Sequence, residues 1–409
     1  MIWRSKMHQE KIMVLAGSFW QIPLIKKIKE SGYKVLNINP YENSPAFEYA
    51  DEYRMLDILD IEACLKCAQE ENVDAIMSEQ CDIANPSVAY ISEKLGLNSM
   101  GSYYAELYTN KLKMREFCQE NGLNCPEFKI CYNLQEALDF YRNLGKKIII
   151  KPLDSNSSRG VFSIDSEEEL CEHFNEALFF SRIENAVLCE RYINGKEFTI
   201  DGIKTDKGHV SLAISEKYHY EHNPNIACTL FFSHKNPEYD YESLREENDK
   251  YVNLTGLPFG LTHAEYKYED GKFYLIEIGA RGGGNLIGSD IVPLMSGVDN
   301  YAYLIEKTLG HTVNESYNID EKLLDRCAVL HFFDAPVAEG KVKEIKGLNF
   351  FESNENILKY NLNFKVGDVI KKAENDSARI GYYIAYADSR EDLQALMKEI
   401  EDSLVIEIE

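Results

Sequence analysis

Two acids, Glu265 and Glu277, stand in two short runs of aromatic and β-branched residues joined around Asp270-Gly271, and Arg281 follows the second run. The runs read as the strands of a hairpin. Carboxylate oxygens are hard ligands for Mg²⁺ and a planar guanidinium matches phosphate or carboxylate, so the set suits a metal-bound triphosphate. Register decides whether it works, because side chains alternate faces along a strand. A two-residue turn at Asp270-Gly271 sets Glu265 opposite Ile276 and sends Glu277 to the other face. A three-residue turn, Glu269-Asp270-Gly271 with Gly271 left-handed, pairs Glu265 with Leu275 and makes Glu277 its diagonal neighbour on one face. The three-residue turn is the expectation. His263 and Lys267 then share the acidic face, while Ala264, Tyr266, Ile276 and Ile278 turn to the core. By itself the hairpin is more often a solvated edge.

Other residues carry chemistry of the same kind. The apolar run Ile148-Ile149-Ile150 leads straight into Lys151, which a strand end would present as a point charge to phosphate. The small polar run Asp154-Ser155-Asn156-Ser157-Ser158-Arg159-Gly160 can fold backbone N–H groups and hydroxyls over an anion, although such loops are more often plain turns. No GxxxxGK[ST] is present, which excludes a Walker loop. Ala186 to Ile193, with Glu190 and Arg191, reads as a buried strand running through Asn194-Gly195 to Glu197. The bland reading is a hairpin with an Asn-Gly turn. His219 and His222 have HxxH spacing, but no third ligand is evident and the local pattern is loop-like, so a substrate-facing loop fits better than a transition metal. Glu79, His222 and His263 are candidates for an acceptor pocket, each with a structural reading at least as good.

The elements that must position these groups form three units. From Lys11 to Gly96 strands alternate with helices, which calls for a parallel sheet with Glu79 to Asp82 at a strand's carboxyl end, where open α/β sheets bind ligands. The first turn, Gly17-Ser18-Phe19-Trp20-Gln21, lacks GxGxxG, so the shape is Rossmann-like without the dinucleotide fingerprint. Lys111 opens a helical stretch, and a helix over Tyr241 to Leu254 precedes the hairpin. Beyond Gly310 the pattern is mainly β with one covering helix from Arg390 to Ile400. The 409 residues suggest two or three domains. A formal charge of −24 argues against nucleic acid and anionic membrane as partners. No apolar run approaches bilayer length and Met1 to Lys11 is too polar for a signal peptide, which places the chain in the cytoplasm. Ten scattered cysteines, Cys64-x-x-Cys67 included, read as reduced thiols.

In this order the pieces resemble the ATP-grasp superfamily, and within it the carboxylate–amine ligases related to biotin carboxylase, glycinamide ribonucleotide synthetase and the L-amino-acid ligases. The resemblance implies an α/β and α+β chain with a Rossmann-like pre-ATP-grasp domain (1–107), an ATP-grasp core (108–312, its lid about 152–205) and a C-terminal β-rich domain (313–409). It implies that Lys111 and Lys151 touch ATP phosphates and that Ser157, Ser158, Arg159 and Gly160 belong to a loop closing over them. The backbone of Glu190, Arg191 and Ile193 would read adenine, Glu197 the ribose, and Glu265 and Glu277 would hold Mg²⁺ or Mn²⁺. Arg281, with Lys151, would steady the transferred phosphoryl group and the acyl phosphate.

The implied activity is ligation: ATP activates a small carboxylate as an acyl phosphate, an amine displaces phosphate, and ADP is released. The alternatives are an ATP-grasp protein without ligase activity and a purine-pathway ligase such as a glycinamide ribonucleotide synthetase homologue. A homodimer is the implied assembly. The chain departs from the family where Glu-x-Asn-x-Arg is usual: Gly279 replaces the asparagine that commonly helps hold a second Mg²⁺, leaving Asn285 or water to substitute.

Overall fold

The computed structural model describes residues 9–153, 159–181 and 184–409. Its first sheet is parallel, in the order Glu52–Arg54, Lys34–Ile38, Lys11–Leu15, Ala75–Met77. Continuous apolar runs make its strands: Ile12, Met13, Val14 and Leu15 are all fully buried, as a sheet covered on both faces requires. The loop leaving Ala75–Met77 carries Ser78 to Asp82 toward the rest of the molecule.

An eight-stranded antiparallel sheet forms the centre, in the order Lys272–Gly279, Gly260–Glu269, Lys196–Thr205, Gly208–Tyr220, Asn223–Ser233, Cys327–Phe332, Gly381–Ala387, Ile357–Leu362. It passes through the expected boundary at 312/313 without a break, because Thr229–Ser233 pairs with Cys327–His331. The mixed α/β and α+β class read from the sequence is what the molecule has. A smaller antiparallel sheet, Phe128–Cys131, Val187–Arg191, Ile148–Pro152, Phe162–Ile164, is covered by the helices Leu134–Leu144 and Glu167–Phe179. It starts before and ends before the expected lid at 152–205, since Lys196–Thr205 belongs to the central sheet.

Two elements differ from expectation. Tyr218 to Asn225 is not a loop: Gly208–Tyr220 and Asn223–Ser233 are long paired strands that meet there. Polar residues misled the reading because Ser215, Lys217 and His219 alternate with Ile214, Glu216 and Tyr218 on a strand whose two faces are both occupied. The C-terminal part carries a second helix, Leu348–Ser353, beyond the one expected. Beyond the hairpin a π turn, Ile287–Ile291, leads into the helix Val292–Ser296. Among the described residues no helix is long and apolar enough to cross a membrane.

Candidate active site

The hairpin brings Glu265 and Glu277 together by a route other than the expected one. Its turn has two residues, Asp270 and Gly271, with φ of 49° and 82°, and Glu269 pairs with Lys272. Positive φ at both positions gives the turn that matches strand twist, and Asp-Gly suits it. That register alone would separate the acids. A bulge corrects it: Tyr266 faces Leu275, Ile276 is skipped, and Glu265 lies directly opposite Glu277. Arg115 Nη2 donates to the carbonyl of Ile276 at 2.6 Å, so the bulged peptide has a partner. Leu275, not Ile276, joins Ala264, Tyr266 and Ile278 in the core.

Alternation extends this face across four strands. Lys217, Glu197 and Lys267 are level with one another; Ser215, Thr199, Glu265 and Glu277 form the next row; Ala213, Asp201, His263 and Gly279 the next. The intervening Phe198, Ile200, Ile214, Ala264, Tyr266 and Ile278 turn the other way, onto the helix Tyr241–Thr255. One face is therefore apolar and packed, and the other is a field of charges. Lys217 Nζ bridges Glu197 Oε1 at 2.5 Å and Glu265 Oε1 at 2.9 Å. Burial works against the charge on Glu197, yet Lys217, His219 and Lys267 together hold its carboxyl well below the usual range. His263 Nδ1 lies 3.0 Å from Asp201, whose Oδ1 also accepts from Gly283 N–H.

Two lysines approach from the N-terminal side. The side chain of Asn110 caps the helix Lys111–Glu120, and Lys111 N–H donates to the carbonyl of Leu153, tying helix start to strand end. Lys111 Nζ meets Glu277 Oε1 at 2.7 Å. Lys151 Nζ meets Glu190 Oε2 at 2.7 Å, and Arg115 Nε meets Glu190 Oε1 at 2.7 Å; all three side chains are buried. Burial, opposed by Glu190 and aided by nearby Arg115 and Lys111, pulls Lys151 down to about 8. Glu190 thus spends both oxygens on fixing Arg115 and Lys151. Arg191 pairs with Glu269 at 2.5 Å and lies over the Tyr274 ring, its N–H donating to Glu127; Ile193 is buried. Ser157 and Ser158 lie outside the described residues, and Arg159 and Gly160 form the turn that follows them.

At the far end of the hairpin Arg281 is held bidentately by Asp82, Nε to Oδ1 at 2.9 Å and Nη2 to Oδ2 at 2.7 Å. A Cβ on Gly279 would lie 2.9 Å from Asp82 Oδ1, so the carboxylate stands where a side chain at 279 would begin. The neighbouring glycines are there for the same reason. A Cβ on Gly282 would come within 2.7 Å of Glu79 Oε2, and one on Gly283 within 2.6 Å of Asp201 Oδ1. Glu79 accepts from Gly282 N–H at 2.8 Å, and burial pushes its carboxyl up to about 8 against the pull of Gly282 and Arg281.

The structure brings Lys111, Lys151, Glu190, Glu197, Glu265, Glu277 and Arg281 to one region, with Glu79 and His263 beside them. His222 is not among them. Its Nε2 meets the carbonyl of Ala373 and its Nδ1 lies 3.4 Å from Asp334, whereas His219 faces Glu197, so the HxxH pair does not converge. Sequence reasoning missed Lys217, Arg115 and Asp201, and placed Asp82 at a ligand-binding strand end without its partner Arg281. For Lys217 the signal was present as two-residue alternation; for Arg115, whose partners are far away in the chain, there was none. Among the described residues no group of three or more His, Cys, Asp or Glu side chains is placed to hold a metal ion. What is there is a pair of opposed carboxylates, which fits Mg²⁺, a cation that keeps water and phosphate oxygens as its other ligands.

Residues 144–290 match the model of the ATP-grasp domain, and residues 332–409 match the L-amino acid ligase C-terminal domain 2. The chain carries an ATP-grasp domain. Over 203 residues it is 28% identical to a formate-dependent phosphoribosylglycinamide formyltransferase of Prochlorococcus marinus, covering 49% of this chain and 52% of that one, so the chain spans about half the length of that relative. The crystal structure of an L-amino acid ligase from Bacillus licheniformis superposes with a TM-score of 0.81 at 21% identity, over 98% of this chain and 99% of that one. A biotin carboxylase domain dimer of Hydrogenobacter thermophilus 2-oxoglutarate carboxylase, solved with MgADP and bicarbonate, gives 0.77 at 18% identity, over 98% and 92%. The fold shared with these two structures extends over nearly the whole chain.

Proposed function

We propose that this ATP-grasp chain is an ATP-dependent carboxylate–amine ligase, and the observation that carries the reading is the directly opposed pair Glu265 and Glu277 with a lysine on each and Arg281 beyond. Glu265 and Glu277 would hold Mg²⁺, which supplies charge neutralisation at the phosphates when bound. Lys111 and Lys151 donate to phosphate oxygens, and the Glu190 to Ile193 backbone takes the adenine with Glu197 at the ribose. Arg281, its fork suited to a carboxylate or an acyl phosphate, orients the acid. The substrate carboxylate attacks the γ-phosphate, giving an acyl phosphate and ADP. The amine then displaces phosphate, forming the amide. Excluding water protects the intermediate.

The match at the C-terminal unit makes amino acids the first compounds to screen. ADP release is measured over amino acids and small carboxylates, singly and in pairs, with hydroxylamine as a trap for the activated acid. Release that depends on a carboxylate and rises with an amine is expected, and Glu277→Ala should abolish it while the thermal melt is retained. Full activity in that variant would remove the site assignment. Light scattering tests the homodimer.

A further inference from the structure

Each acid of the opposed pair already carries a cation. Lys111 Nζ is 2.7 Å from Glu277, and Lys217 Nζ is 2.9 Å from Glu265 while also 2.5 Å from Glu197. Lys217 is half-buried, with a side chain 15% exposed, and stands level with Glu197 on the strand next to it. Glu197 and Glu265 are the ends of a short line, one proposed for the ribose and one for the cation, and the phosphates between them must pass Lys217. We propose that Lys217 is a third phosphate-facing lysine of this site and, while nucleotide is absent, the place-holder for the divalent cation on Glu265. The inference rests on the nucleotide reading given above.

The physical consequence concerns the order of binding. A bare divalent cation arriving at Glu265 must push the ammonium of Lys217 away from one of its two acids, leaving a half-buried cation beside a new double charge. A nucleotide arriving with its cation offers phosphate oxygens to the displaced ammonium, so the same displacement is compensated. The empty face thus disfavours the free cation and admits the cation with the nucleotide. Lys267, 4.0 Å from Glu197, and His219, 3.5 Å from it, are the other basic groups facing that acid, and neither is paired with Glu265. Removing Lys217 therefore frees Glu265 in particular.

Electron paramagnetic resonance of free Mn²⁺ tests this on the full chain, with Mn²⁺ alone and with Mn²⁺ plus ADP. Lys217→Met should bind Mn²⁺ without nucleotide about tenfold more tightly than wild type and bind ADP with Mn²⁺ several-fold more weakly, a sign reversal that a merely structural lysine would not produce. Lys217→Arg should follow wild type in both, and adding Glu265→Gln to Lys217→Met should erase the gain. Lys217→Gln reads the same quantities should the methionine variant melt early. Unchanged or weaker Mn²⁺ binding by both neutral variants, with wild type binding Mn·ADP, overturns the role of Lys217 alone. Failure of wild type to bind Mn·ADP overturns the nucleotide reading with it.

Discussion

Lys151 and Glu79 show what burial does to a single charge. Both are almost fully enclosed, and burial drives each toward its neutral form near pH 8, from above for the lysine and from below for the acid. A Lys151 that titrates near 8 loses its hold on phosphate as pH rises past that value. Mg·ADP affinity should accordingly fall between about pH 7 and 9 in wild type and stay level in Lys151→Arg, by calorimetry. Glu79 acts on stability. Its folded value is raised above the unfolded one, so the folded chain binds more protons between about 4.5 and 8; stability is full below that window and declines as pH rises through it. Glu79→Gln does not titrate. The melting temperature of wild type relative to that variant should therefore drop from pH 5 to pH 8, by the equivalent of a few kcal/mol, on the order that linkage allows. A constant difference would mean that Glu79 is ionised in the fold.

At the scale of elements, the hairpin works through one extra residue. Without the bulge at Ile276, Glu277 would leave the face of Glu265, and Arg115 is the side chain that satisfies the bulged carbonyl while pairing with Glu190. Arg115→Met leaves Glu190 short of a partner in a dry interior and should cost about 3–5 kcal/mol in urea unfolding, the range for breaking a buried ion pair. Activity should fall further than stability explains, because Lys151 and the bulge lose their shared anchor. The glycine run ending the hairpin is equally specific. Gly279→Asn forces a side chain onto Asp82, which must leave Arg281; ADP release should drop roughly tenfold or more, as misplaced orienting groups do. Asp82→Ala combined with Gly279→Asn, which has room for the amide, should recover part of that loss. Additive losses would show that the contact between positions 82 and 279 is incidental.

On the scale of the molecule, the central sheet joins the second and third expected units, and an apolar cluster joins the first to them. Cys327–Phe332 completes the edge of Asn223–Ser233, and one apolar cluster joins Ile12, Val14 and Leu24 to Leu286, Ile291, Leu330 and Ile384. A fragment of residues 1–312 exposes that edge and the part of that cluster covered by Ala328, Leu330, Phe332, Ala373 and Ile384. It should aggregate or lose its cooperative melt while the full chain melts as a unit, and a monomeric fragment with a sharp transition would contradict this.

The sequence by itself determined the parallel N-terminal sheet, the ATP-grasp likeness and most of the charged residues of the site, because these are carried by local signals: apolar runs, alternation and the spacing of Lys151, Glu190, Glu277 and Arg281 along their strands. It did not determine the hairpin register. Asp270-Gly271 favours a two-residue turn, and only the tertiary structure shows that a bulge, held by an arginine from a distant helix, returns Glu277 to its face. Likewise Gly279 reads in sequence as a missing asparagine, whereas in space its hydrogen atom makes room for Asp82 from the turn after the parallel sheet. Register and the closeness of remote carboxylates depend on contacts between distant segments, which no local pattern encodes.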